Sequence, residues 1–193
     1  SGAIEAETAG GQIQIGESGG AVIAKTAGGS IQMLGAKGKM EVKTAGGSIN
    51  LLQVRSPVIA STAAGPILAQ MDPQWKTFSA CDLQTAVGDV KVYLPAELAL
   101  TIDAVIDHAA GHELVSDFPI QIEGDREGFL PRTLRGRGAL NGGGELLRIR
   151  TIAGNIEIRK LDPQTLGEFE EQKESFWKRW KDKELRHQQH QQD

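Results

Sequence analysis

The chain has a single cysteine, Cys81, among 193 residues, which excludes an internal disulfide framework. Aromatic residues make up only 5%, so a core built from layers of large rings is excluded as well. No apolar run is long enough to cross a bilayer as a helix. No aspartate occurs before Asp72. That removes a calcium-binding β-roll from the first part of the chain, because Ca²⁺ needs several hard oxygen ligands in each repeat. Net charge is only −4, and no basic, aromatic-studded face stands out, so nucleic acid is not an expected partner. Glycine is abundant instead, at 24 residues.

The glycines belong to a repeat. Thr-Ala-Gly-Gly-x-Ile begins at Thr8, Thr26 and Thr44, and returns as Thr-Ala-Ala-Gly-Pro-Ile at Thr62, always eighteen residues on. Later versions start at Thr85 (Thr-Ala-Val-Gly-Asp-Val) and Thr151 (Thr-Ile-Ala-Gly-Asn-Ile). Beneath this period lies one of nine residues. Ile4, Ile13, Val22, Ile31, Met40, Ile49, Val58 and Ile67 form one apolar column, and the residues two positions on form a second, with mostly polar residues between. That alternation is the signature of half-buried strands, and the glycines supply tight corners. The expected fold is all-β: a single-stranded parallel β-helix or β-solenoid of about eighteen residues per coil. Each repeat threonine has inward parity, so its hydroxyl is expected to bond backbone amides of the turn that follows.

The register resumes after an interruption at residues 71–80, where Trp75 and Phe78 are expected to cover a side of the coil. It runs through Thr101–Asp107, with His108 expected in the threonine position, then a loop at 124–134 and a last full coil at Leu147–Ile158. From Pro163 glycine almost vanishes and Glu, Lys and Arg dominate, which predicts a solvated helix. Domain boundaries are therefore expected at 1–161 for the solenoid and 162–193 for a charged amphipathic tail. Phe169, Phe176 and Trp180 share one face of that helix and are its candidate packing residues, expected to cap an open end or a side. The rival is a protruding helix that packs on a second copy or another protein, and self-association through the solenoid ends is a further outcome. The chain opens on Ser1 and enters the first repeat at once, so any signal or anchor is expected upstream.

The pieces Thr85-Ala-Val-Gly-Asp-Val-Lys-Val-Tyr-Leu-Pro, Val115-Ser-Asp-Phe-Pro, Leu140-Asn-Gly-Gly-Gly and Leu147-Arg-Ile-Arg-Thr-Ile-Ala-Gly-Asn-Ile-Glu-Ile together resemble a bacterial domain family of unknown function labelled as adhesins. The resemblance covers residues 1–160 and implies a β-solenoid in the cell envelope, periplasmic or at the cell surface. It carries no catalytic residues with it; glycan or protein partners are what a rigid solenoid surface is expected to meet.

Chemistry-bearing residues are sparse. Asp82, Asp89, Asp103, Asp107 and Asp117 are the carboxylates a polysaccharide-active enzyme on this scaffold would draw on, although Asp89 also suits a turn on backbone grounds. His108, His112 and Glu113 match no metal-ligand spacing. Seven of the ten arginines lie between Arg126 and Arg159, and Arg148, Arg150 and Arg159 have outward parity, which makes them a candidate surface for anionic ligands, although a solvated face paired with Glu145 and Glu157 is the favoured reading. No catalytic, cofactor or metal residue is expected. A non-enzymatic surface protein is favoured over an enzyme or an envelope-sensing assembly module.

Overall fold

The computed structural model describes residues 2–126 and 131–189; at Arg126, Pro131, Trp180 and residues 182–189 it describes the backbone alone. The chain is mostly β-strand with one C-terminal helix. The strands are β1 (Ile4–Thr8), β2 (Ile13–Ile15), β3 (Val22–Thr26), β4 (Ile31–Met33), β5 (Met40–Thr44), β6 (Ile49–Val54), β7 (Val58–Ala64) and β8 (Ile67–Met71). They continue as β9 (Cys81–Val87), β10 (Val90–Leu94), β11 (Leu100–Ile106), β12 (Leu114–Ser116), β13 (Gln121–Arg126), β14 (Pro131–Leu140), β15 (Leu146–Ala153) and β16 (Ile156–Lys160). The helix α1 spans Pro163–Gln189.

The nine-residue period has a direct structural meaning: successive strands go to alternate sheets. A nine-stranded sheet has the order β1-β3-β5-β7-β9-β15-β11-β14-β13, and a seven-stranded sheet the order β12-β16-β10-β8-β6-β4-β2. Each repeat adds one strand to each sheet, in register. Ile4 pairs with Val22, Val22 with Met40, Met40 with Val58 and Val58 with Cys81. In the second sheet Ile13, Ile31, Ile49, Ile67 and Val90 align in the same way. The inward columns of both sheets meet in one core of aliphatic side chains. Each fully buried Val, Leu, Ile or Met contributes about 1.5–3 kcal/mol. Phe78 joins this core, and Trp75 packs on it with ring centroids 5.1 Å apart.

Three expectations are corrected. First, pairing between repeats is predominantly parallel as expected, but the segment read as a loop adds antiparallel strands. Of residues 124–134, read as a loop, 124–126 belong to β13 and 131–134 to β14, while 127–130 lie outside the described residues; the β11–β14 and β13–β14 pairs are antiparallel. Gly136 lies beneath Ile120 and Leu114, where a Cβ would come within 2.9–3.1 Å of their side chains. An inward glycine there breaks the apolar alternation that marks the other strands. Second, Ile106 and not His108 continues the threonine column, because Ile106 pairs with Thr151; His108 is exposed. Third, the last strands in sequence are not the last in the sheets. β15 lies between β9 and β11, and β16 between β10 and β12, so the chain's final strand pair does not close an open end.

Two compact units divide the chain, Ser1–Lys160 and Leu161–Asp193. In the second, Asp162 is the N-cap: its Oδ1 accepts the Thr165 N–H at 2.7 Å and its carbonyl accepts the Leu166 N–H at 2.9 Å. Pro163 follows at the first helical position, where its missing N–H costs nothing. The Thr165 amide holds the Asp162 carboxyl below its ordinary range. The three expected packing residues, Phe169, Phe176 and Trp180, all lie on this helix, and Phe176 meets Trp177 edge-on at 5.9 Å. The side chain of Trp180 lies outside the described residues.

Candidate functional site

The regular feature of the surface is built by the threonine corner. The inward hydroxyls of Thr26 and Thr44 each bond twice. Thr26 Oγ1 accepts the Gly29 N–H at 3.2 Å and donates to the Gly11 carbonyl of the preceding repeat at 3.1 Å. Thr44 accepts from Gly47 at 3.2 Å and donates to Gly29 at 2.9 Å. Thr62, Thr85 and Thr151 donate to Gly47, Gly65 and Gly88, each at 3.0 Å. Thr8, in the first repeat, accepts from Gly11 at 3.3 Å. The expected bond to the following turn is present at Thr8, Thr26 and Thr44, and from Thr26 onward a bond to the preceding repeat stitches neighbouring repeats together. The same corner explains the invariance of its glycine within the chain. A Cβ on Gly29, Gly47, Gly65, Gly88 or Gly154 would collide with the carbonyl oxygen of the glycine in the repeat below.

With the threonine turned inward, the residue after it is turned outward at the edge of the nine-stranded sheet. Ala9, Ala27, Ala45, Ala63, Ala86 and Ile152 occupy that place. Two shallow, open clefts of about 570 and 500 Å³ run along them and adjoin at Thr44 and Ala45, together making a shallow groove across β1, β3, β5, β7, β9 and β15. Five strand spacings of about 4.8 Å give it a length of about 24 Å. Its side wall is one outward residue per strand, in the order Glu7, Lys25, Lys43, Ser61, Gln84 and Arg150. Asp107 stands at the far end. Lys43 Nζ reaches Glu41 Oε1 at 2.7 Å, and this contact holds the Glu41 carboxyl below its ordinary range. The groove thus presents cations toward both ends, two neutral hydrogen-bonding side chains between them, and a floor of methyl groups. It can hold an elongated polar molecule. Its threonine hydroxyls are committed to backbone bonds and are not presented as nucleophiles.

The three candidate arginines do not form one surface. Arg148 and Arg150 are on β15 and face out from the nine-stranded sheet, whereas Arg159 is on β16 in the other sheet. Arg159 is gripped by Glu157 at 3.0 Å and Asp117 at 3.1 Å, which raises its already high pKa. Arg148 pairs with Asp82 at 3.4 Å, in a row that continues through Asp103 and Arg137 at 3.2 Å. Arg150 alone lines the groove. Adjacent residues on a strand share a sheet, but a corner separates Arg150 from Arg159, and sequence parity does not register which sheet a strand joins.

The candidate carboxylates are similarly dispersed. Asp82, Asp103 and Asp117 are in the ion pairs just described. Asp89 Oδ1 accepts the Asn155 N–H at 2.7 Å, and Asn155 Oδ1 accepts the Glu113 N–H at 2.9 Å, so the turn role of Asp89 is observed. Among the described residues no group of three or more His, Cys, Asp or Glu side chains could hold a metal ion, His108, His112 and Glu113 included. Cys81 is buried between Val58 and Leu147, and burial pushes its thiol up to about 12. Lys25 and Lys43 were visible in the sequence as an outward column eighteen residues apart. Their meaning depended on the alanine groove beside them, which no residue pattern announces.

No family model, no curated protein and no solved structure matches the chain.

Proposed function

We propose that the two sheets are the walls of a single-stranded β-solenoid of about eighteen residues per coil. The protein is then a non-enzymatic module of the bacterial envelope or cell surface, of the adhesin type, that holds elongated acidic glycans along the threonine corner. The observation that carries this reading is the continuity of the groove past Lys25, Lys43 and Arg150. An extended polymer laid along it meets the same floor at every strand and carboxylates of its own would meet the cations. The resemblance of Thr85–Pro95 and Leu147–Ile158 to the bacterial adhesin-labelled family supports the same assignment. Glu7 and Asp107, the carboxylates among the groove's lining, sit at opposite ends. Six strand spacings, roughly 29 Å, separate their strands, far beyond the roughly 5–10 Å at which two carboxylates cooperate in glycoside hydrolysis.

A glycan array paired with a polysaccharide-cleavage screen tests the proposal. Binding should concentrate on linear uronate-containing glycans and weaken with salt. Release of product from any polysaccharide would overturn the non-enzymatic reading, and binding confined to proteins would replace the glycan with a protein partner.

A further inference from the structure

The position of the last strand pair has a consequence for how two copies of this chain can interact. β9 and β10 precede β11 and β12 in sequence, yet β15 separates β9 from β11 and β16 separates β10 from β12. The segment Leu146–Lys160 therefore fills a slot between walls that were both made earlier in the chain. We propose that this slot is a docking site for the same segment of a second copy, so that the chain can form a reciprocal, segment-exchanged dimer.

The slot recognises its occupant by side chain and by backbone. Leu147, Ile149 and Thr151 pair with Cys81, Leu83 and Thr85 on one wall and with Ile102, Ala104 and Ile106 on the other. In the second sheet Ile156 pairs with both Val90 and Leu114. The inward residues Leu147, Ile149, Thr151, Ile156 and Ile158 are completely buried. The Thr151 hydroxyl reaches the Gly88 carbonyl at 3.0 Å, and the Asn155 amide and side chain bridge Asp89 to Glu113. All of these partners are on the walls, none on the segment's own tether. A second copy's segment would therefore make the identical contacts.

What keeps the segment at home is the hinge. Asn141, Gly142 and Gly143 are three consecutive residues with positive φ, at 50°, 92° and 80°. Asn141 Nδ2 pins the turn by donating to the Ala96 and Leu98 carbonyls at 2.9 and 3.1 Å. This backbone suits glycine and asparagine and few other residues. The tight turn holds the segment at a high effective concentration over its own slot, and an extended hinge would send it to another copy instead. Exchange between identical copies gives a closed, two-fold arrangement.

The test uses the full chain. In the Gly142→Val/Gly143→Val variant, β-branched side chains oppose positive φ, and the dimer fraction after refolding at a fixed protein concentration should rise at least about tenfold over the unaltered chain. Gln84 and Arg150 are outward partners across β9 and β15, so exchange can be read by chemistry. Chains carrying Gln84→Cys and chains carrying Arg150→Cys are mixed, unfolded, refolded together and oxidised by dissolved oxygen. A disulfide between the two chains, increasing with concentration, is expected with the native hinge and more strongly with the valine hinge. A folded valine variant that stays monomeric overturns the proposal. So does a dimer without the cross-link, which would place association at the sheet ends. If the valine variant fails to fold, the native-hinge mixture decides alone, and absence of the mixed disulfide there overturns the proposal.

Discussion

Replacing Thr44 by valine isolates the hydroxyl that stitches one repeat to the next. Valine keeps the shape and the packed methyl group. It removes one donor to the Gly29 carbonyl at 2.9 Å and one acceptor for the Gly47 N–H at 3.2 Å. Thr44 is only 6% exposed, so water does not readily replace either bond. A buried backbone group left without a partner costs about 1–3 kcal/mol, so two should cost about 2–6 kcal/mol. That is a large share of the 5–15 kcal/mol or so that holds a typical domain together. Thr44→Ser keeps both bonds and loses one methyl, for about 1 kcal/mol. Thr8→Val is the internal control. Thr8 accepts one long bond of 3.3 Å at the first strand and is half-exposed, so its loss should cost about 0.5 kcal/mol. Urea unfolding followed by circular dichroism measures all three, provided the slope is unchanged. The expected order of damage is Thr44→Val, then Thr44→Ser, then Thr8→Val. If Thr44→Val proves no worse than Thr44→Ser, the threonines are packing residues and the stitching argument is wrong.

Three further outcomes follow from particular groups. Lys25→Ala/Lys43→Ala should weaken binding of a linear uronate glycan by about 1 kcal/mol, roughly fivefold in Kd, and flatten its salt dependence, measured by titration calorimetry at two ionic strengths. Cys81 should resist iodoacetamide at pH 8 in the native protein and react once urea unfolds it. Because its thiol ionises at 9.0 when unexceptional and at about 12 when folded, the native state should lose stability as pH rises from about 9 toward 12, the unfolded chain giving up the proton first. Asp162→Ala should lower helicity at 222 nm. Protonating Asp162 should do the same, and since its folded pKa is depressed, its contribution is present above the ordinary aspartate pKa and fades as pH falls through the folded one.

The two-sheet arrangement was legible because its cause is local and repeated. An apolar residue every nine positions, with a glycine corner between, leaves one register that buries every inward column. The threonines were placed inward by parity alone, and their first hydrogen bond followed from the buried hydroxyl's need for a partner. What escaped was everything decided between repeats. The strand pairs β9–β10, β15–β16 and β11–β12 carry compatible columns, so periodicity fixes their registers but not their order. Strand β14 was unreadable for a different reason: Gly136 and Gly138 take inward positions under Ile120, so the apolar half of the alternation is missing. Its outward half, Arg135 and Arg137, was the available signal. The groove was half legible, as a column of lysines without the alanine floor that gives them a use.

Amide chemical-shift mapping of the isotope-labelled chain titrated with an oligogalacturonate tests the binding reading most directly. The expected result is a stripe of perturbed amides, one outward residue per strand from Lys25 through Lys43, Ser61 and Gln84 to Arg150, with the neighbouring alanines. Perturbation confined to the seven-stranded sheet, or none at saturating ligand, would contradict it.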